Sequence, residues 1–244
     1  MGRSVQILRA FLQPATRMTV EELTRRTELP KTTVHRLVAE LVRLGLVERT
    51  ANGLQLGTFV FELGQAAPRA RTLRDAARPT LTDLSRATNL NVGLAVLDGP
   101  EVVYLDTYCG RDAPRLPQRS GTRWPAHSSC SGKAILAFSP AEIVERTLGE
   151  PLRRLTPATI TEPDALRTEL AEIRKRGVAF DRRESFNTVA AVAVPIFDAD
   201  DVIAAVSISG VAGRISLPRF DMAARAAAIT IARALHNPRA RGAR

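Results

Sequence analysis

Asn52-Gly53, set between the short segments Leu46–Thr50 and Leu54–Leu56, is the feature that most restricts what this chain can become. Asn-Gly between two short strand-like runs takes the positive φ angles of a tight turn, which predicts a two-stranded hairpin. Everything before it has helical spacing. Val5, Ile7, Leu8, Phe11 and Leu12 recur on one face, with Ser4 as the expected N-cap and Pro14 as the stop. Thr19 and Glu22 have the spacing of a capping box and open a second helix that runs to about Thr27. The link Glu28-Leu29-Pro30 is short, and Pro30 suits the first turn of a third helix because its missing N–H has no partner there anyway. That helix carries Val34, Leu37, Val38, Leu41 and Leu44 on one face and ends near Gly45. The order is three helices and then a two-stranded wing, followed by a helix from about Thr58 to Gln65.

Pro68 and the basic stretch Arg69, Arg71 and Arg74 mark a linker or the start of a second domain. Its first helix carries Leu73, Ala77, Leu81 and Leu84. Strands follow at Asn91–Leu97 and Val102–Thr107 around the turn Asp98-Gly99-Pro100. Ser129–Phe138 and Ala165–Arg176 read as helices, the latter stopped by Gly177. Val189–Phe197 and Val202–Ser209 are apolar strands around Asp198–Asp201, and Leu217–Leu235 is a long Ala-rich helix. Hairpin-connected strands with flanking helices predict an α+β domain with a mainly antiparallel sheet. The expected organisation is a helical unit with its wing and following helix at 1–66, a larger domain at 67–236 and a basic, disordered tail at 237–244.

Composition narrows the function classes. The 244 residues fit one small domain and one of ordinary size, and the net charge of +10, mostly from Arg, suits a polyanionic partner. No apolar run approaches the ~20 residues that span a bilayer, and no signal peptide is visible, so a cytoplasmic chain without membrane contact is expected. Cys109 and Cys130 form no CxxC pair, and His35, His127 and His236 lie far apart, so neither a metal nor another cofactor is expected.

A second helix following a first across a tight turn is the helix-turn-helix arrangement, in which the later helix enters the major groove. Here its first turn holds Lys31, Thr32 and Thr33, placed for phosphates or base edges, followed by His35 and Arg36. Arg36 has the fork that matches guanine O6 and N7. Arg49 and Asn52 on the wing are placed for the backbone or minor groove. Glu22 and Glu40 would repel phosphate and are expected away from that surface.

In the second domain Ser207 and Ser209 alternate with Val206 and Ile208, so both hydroxyls share one strand face. The loop His127–Gly132 precedes a helix. Together they suggest a site for a carboxylate or another small polar molecule.

The stretch LPKTTVHRLVAELVRLGLVERTANGLQLG, from Leu29 to Gly57, resembles the winged helix-turn-helix of IclR-type transcriptional regulators. The resemblance continues through VGLAVLDGPEVVYLDTY, PAHSSCSGKAILA, LTPATIT, LRTELAEIRKRGVAFDRRESF and VAAVAVPIFDADDVIAAVSISG, and it spans about Val5 to Leu235. It implies a GAF-like α+β effector domain, a linker helix that pairs the DNA-binding halves, homodimers or dimers of dimers, and a palindromic double-stranded operator. Most members control catabolic operons, and many answer to small carboxylates or aromatic acids. By motif match the effector site would include Ser129, Cys130, Ser131, Gly132, Asp181, Ser207 and Ser209, with Trp124 as a wall and His127 as a donor. The chain departs from the pattern at Thr188 and Ala191, where many members have Gly and Cys, and at Arg182-Arg183, which offers a pair of cations beside the site. Two other readings stand beside the sensor: a C-terminal domain that only oligomerises, and an enzyme using Cys130 as nucleophile and His127 as base.

Overall fold

The computed structural model describes residues 2–12 and 17–236, so the stop expected at Pro14 and the tail from Asn237 lie outside the described residues. The chain divides into two compact units between Arg71 and Thr72.

The first unit contains α1 (Gly2–Ala10), α2 (Val20–Thr27), α3 (Lys31–Arg43), the wing strands β1 (Val47–Thr50) and β2 (Gly53–Leu56), and α4 (Thr58–Gln65). Thr19 caps α2 reciprocally with Glu22: Glu22 N donates to Thr19 Oγ1 at 3.1 Å, and Thr19 N donates to Glu22 Oε2 at 2.7 Å. Ser4 is not a cap. α1 begins two residues upstream of it, and serine costs little inside a helix. α3 stops at Arg43, with Leu44 N closing the last turn onto Glu40 O, which leaves Leu44 exposed rather than on the buried face. Ile7, Leu23, Val34, Val38, Leu41, Val47 and Leu54 form the core. In the hairpin turn the positive φ falls on Gly53 and not on Asn52. Glycine is needed at 53 for space as well: Met18 and Leu54 exchange two backbone hydrogen bonds, and a Cβ on Gly53 would lie 2.9 Å from Met18 O.

The second unit takes in most of α5 (Pro68–Thr88). It continues with β3 (Asn91–Asp98), β4 (Glu101–Tyr108), β5 (Arg123–Pro125), α6 (Cys130–Leu136), α7 (Ala141–Leu148), α8 (Pro163–Arg176), β6 (Ala179–Arg182), β7 (Val189–Asp198), β8 (Asp201–Val211) and α9 (Leu217–His236). The basic stretch at 69–74 is thus part of a helix. The short elements β5, α7 and β6 are absent from the pattern reading. All strand pairs are antiparallel, in the order β5-β4-β3-β8-β7-β6. The sheet alternates large and small residues. Val192, Val194, Val206 and Ile208 belong to a core layer with α5 and α9. Ala191, Ala193 and Ala205 belong to the layer with α6 and α8. A period of two places these sets on opposite faces, so one face is thick with Val and Ile and the other is shallow.

Candidate nucleic-acid interface and effector cleft

α3 separates its faces cleanly. Val34, Val38 and Leu41 are buried, whereas Lys31, Thr32, His35 and Arg36 are exposed and Thr33 is half-buried. The apolar face fixes the helix on the core, and the period of 3.6 turns the polar residues outward together. Lys31 Nζ lies 3.0 Å from Glu21 Oε1, which spans α2 and α3 at the turn and holds the Glu21 carboxyl below the usual carboxylate range. Glu22 is occupied by the cap. Glu40 is one turn beyond Arg36 on the exposed side and pairs with Arg43 at 2.6 Å. It therefore borders the polar face rather than lying away from it, because a spacing of four residues returns to the same side of a helix. Arg49 and Asn52 are exposed on the wing.

In the second unit a cleft of about 560 Å³, counted with its mouth open to solvent, lies over the shallow face of the sheet. Cross-strand register explains its position. Ser207 stands opposite Gly93 on one side and Ala193 on the other, and Ser209 stands opposite Asn91 and Ala191. Two rows of small or polar residues leave room that Val or Ile would fill. Gly93 is part of this: a Cβ there would sit 3.0 Å from Ser207 Oγ and 3.2 Å from the Tyr104 ring. Ser129, Cys130, Asp181, Ser207 and Ser209 all line the cleft, with Ala191 making part of its floor apolar.

Other expected members lie elsewhere. Gly132 faces the Ala126 main chain, where a Cβ would meet Ala126 O at 2.2 Å, and buried Ser131 is also outside the lining. Both follow Ser129, which caps α6 through Gly132 N, and the helix carries them off the cleft wall. Trp124 does not line the cleft. It stacks on Phe186, which does, with ring centroids 4.9 Å apart. His127 is a structural donor: its Nε2 lies 3.1 Å from Arg153 O, and burial lowers its pKa, so the ring is held neutral. Arg182 and Arg183 are exposed and outside the lining, as is Thr188. Burial, with Asp181 adding to it, pushes the Cys130 thiol far above its ordinary pKa, and His127 is engaged with a carbonyl. Neither residue is thus activated as the nucleophile-and-base reading requires.

The pattern reading missed the buried charges under the cleft wall. Lys133 Nζ, on α6, donates to both carboxylate oxygens of Glu184 at 2.6 Å and lies 3.9 Å from Glu169. Asp181 Oδ1 accepts from Glu184 N at 2.6 Å and Ser185 N at 3.4 Å. Burial pushes both the Asp181 and Glu184 carboxyls up, with Lys133 opposing. The Thr156 hydroxyl donates to Arg183 O at 2.7 Å, the Thr159 hydroxyl to Glu184 O at 2.7 Å, and Ser185 Oγ to Ser128 O, so the 181–186 turn is tied down on several sides. The sequence signal was a lysine in the middle of an apolar helix. Asn91, Tyr104, Gln118 and Phe186 also line the cleft without having been singled out.

Comparison with known proteins agrees with both units. The IclR helix-turn-helix domain matches residues 2–51, and the family described as bacterial transcriptional regulator IclR C-terminal matches residues 65–236. The HTH-type transcriptional regulator XynR of Escherichia coli is 33% identical over 243 residues, covering 97% of this chain and 96% of that protein. The transcriptional repressor IclR of the same organism is 30% identical over 222 residues, covering 88% and 81%. Among solved structures, an IclR homolog from Microbacterium hydrocarbonoxydans complexed with 4-hydroxybenzoate superposes with a TM-score of 0.87 at 33% identity, covering 96% of this chain and 97% of that one. The Thermotoga maritima IclR gives 0.75 at 31%, covering 97% and 98%.

Proposed function

The chain belongs to the IclR family of bacterial transcriptional regulators, and on that premise we propose that it is a repressor of a catabolic operon whose grip on a palindromic operator is altered by a small carboxylate or aromatic acid. It is a regulator and not an enzyme. Arg36 reads a guanine edge; Lys31, Thr32, Thr33 and His35 hold phosphates or neighbouring bases; Arg49 and Asn52 touch the duplex from the wing. The chain acts as a homodimer, or a dimer of dimers, since paired half-sites need paired reading helices. The effector occupies the cleft against Ser129, Cys130, Asp181, Ser207 and Ser209. Binding there shifts the balance between states of different operator affinity.

The observation that carries this reading is the cleft itself, lined from one strand face by Ser207, whose hydroxyl donates to Gly93 O at 3.5 Å, and by Ser209. The 4-hydroxybenzoate held by the Microbacterium homolog supplies the first compound to try. A fragment of the protein's own promoter region is expected to be retarded in a gel at modest ionic strength, with the retardation changing on titration of 4-hydroxybenzoate and a panel of small acids. Ser209→Ala is expected to bind the fragment normally while its dose-response moves to higher ligand. Failure of any acid to alter operator binding would remove the sensing role and leave an oligomerisation domain.

A further inference from the structure

We infer that the cleft selects ligands carrying a hydroxyl, or an equivalent hydrogen donor, that meets Gln118 Oε1, so that Gln118 determines specificity; this rests on the sensor reading above. Gln118 lines the cleft, and its Oε1 is buried without a hydrogen-bond partner. Buried acceptors are nearly always paired, because an unpaired one has lost water and gained nothing. The missing partner is therefore expected to arrive with the ligand.

The main chain on either side of Gln118 is anchored. Asn91 Oδ1 accepts from Gly110 N at 3.1 Å, and Asn91 Nδ2 donates to Pro114 O at 2.8 Å. Asp112 N donates to Asn89 O at 3.2 Å. Just past Gln118, Arg119 N donates to Thr122 Oγ1 at 3.1 Å, and Gly121 N donates to Tyr104 O at 2.8 Å. The segment between Cys109 and Thr122 is thus pinned to β3 at one end and β4 at the other, and it presents Leu116 and Gln118 to the cleft. Asp181, the charged residue among those lining the cleft, already has Oδ1 taken by two backbone N–H groups. No Lys, Arg or His is among the described residues of the lining. Discrimination between similar ligands then falls to neutral polar groups, of which Gln118 Oε1 is, among the described residues, the one buried without a hydrogen-bond partner. A site holding a lone acceptor rejects the analogue without the donor, since that analogue seals the acceptor in unpaired.

The test is calorimetry on the full chain with two pairs of acids, benzoate against 4-hydroxybenzoate and propionate against lactate. In at least one pair the hydroxylated acid is expected to bind about ten- to a hundredfold tighter than its partner. Gln118→Met, similar in length and apolar, is expected to bring that ratio close to one, and Gln118→Glu, which keeps an acceptor, to retain it. Operator binding by both variants serves as the control for folding. A ratio unchanged in Gln118→Met, or no preference in the unsubstituted protein, overturns the inference and leaves the sensor reading intact. No heat with any of the four acids, in protein that still binds its operator, overturns the inference, and the titration of operator binding with the wider panel of acids decides the sensor reading separately.

Discussion

In the first unit the core residues and the residues proposed to read DNA alternate around a single helix, Val34, Val38 and Leu41 inward and Lys31, Thr32, His35 and Arg36 outward. In the second unit the cleft residues share a sheet face with the core: Ser207 and Ser209 lie in the same small-residue rows as Ala191, Ala193 and Gly93. A reading helix can therefore be changed at its surface with little effect on the fold. A cleft made by withholding side-chain volume from a core cannot be changed so freely. The two regions should respond differently to substitution, and the size of the response tests that distinction.

The largest effect is expected under the cleft. Lys133 is fully buried with Glu184 as its close partner. Lys133→Met leaves a buried carboxylate without its cation, which costs about 3–5 kcal/mol. Denaturant unfolding of the second unit should show that loss, and Lys133→Met/Glu184→Met should recover most of it, because a buried ion pair is replaceable by apolar groups of like volume. A single variant as stable as the unsubstituted protein would mean that Glu184 is not charged in the fold. Next in size is Arg36→Ala, expected to weaken operator binding by about 1–3 kcal/mol with unfolding unchanged. Equal operator discrimination in a gel-shift competition would remove Arg36 from the reading face.

How much of each region was legible follows from the same contrast. Helical period and caps gave α2, α3 and the wing nearly residue by residue, because Thr19, Pro30 and Gly53 act locally. The alternation of Ser207 and Ser209 with Val206 and Ile208 was equally plain and put both serines on one face. The cleft's other walls come from distant segments: Gln118 from a connection, Phe186 from a turn, Asn91 and Tyr104 from β3 and β4. No periodicity links them. Short elements such as β5 and β6 owe their existence to a neighbouring strand rather than to their own residues, so propensity could not announce them. Lys133 is a lysine in an apolar helix, but its partner Glu184 lies fifty-one positions away, where no local pattern points to it.

Acid–base behaviour sharpens the comparison further. Burial holds the Asp181 carboxyl above its ordinary value of 3.8. A group raised in the folded state favours folding fully below its unfolded pKa, and that contribution is lost as pH rises through the folded value. As pH rises from the ordinary carboxylate value through the raised one, the unsubstituted protein should therefore lose stability relative to Asp181→Asn, whose Oδ1 still accepts from Glu184 N and Ser185 N. The difference between the two melting curves cancels the titrating groups remote from Asp181. A difference of opposite sign would show Lys133 outweighing burial at this carboxyl.

The smallest effect is expected where the first unit meets solvent. Thr19 and Glu22 satisfy each other's exposed backbone N–H groups at the start of α2, and nothing in the core touches that exchange. Thr19→Ala should cost about 1 kcal/mol of stability in the first unit, the usual worth of a cap. Its consequence for DNA should be indirect and smaller than that of Arg36→Ala, since α2 meets α3 through the shared core at Leu23 and Val34 and through the exposed Glu21–Lys31 pair, not through the cap. A loss of operator affinity from Thr19→Ala as large as that from Arg36→Ala would break the contrast drawn here, because it would mean that the surface of α3 depends on its neighbour's cap as closely as the cleft depends on Lys133.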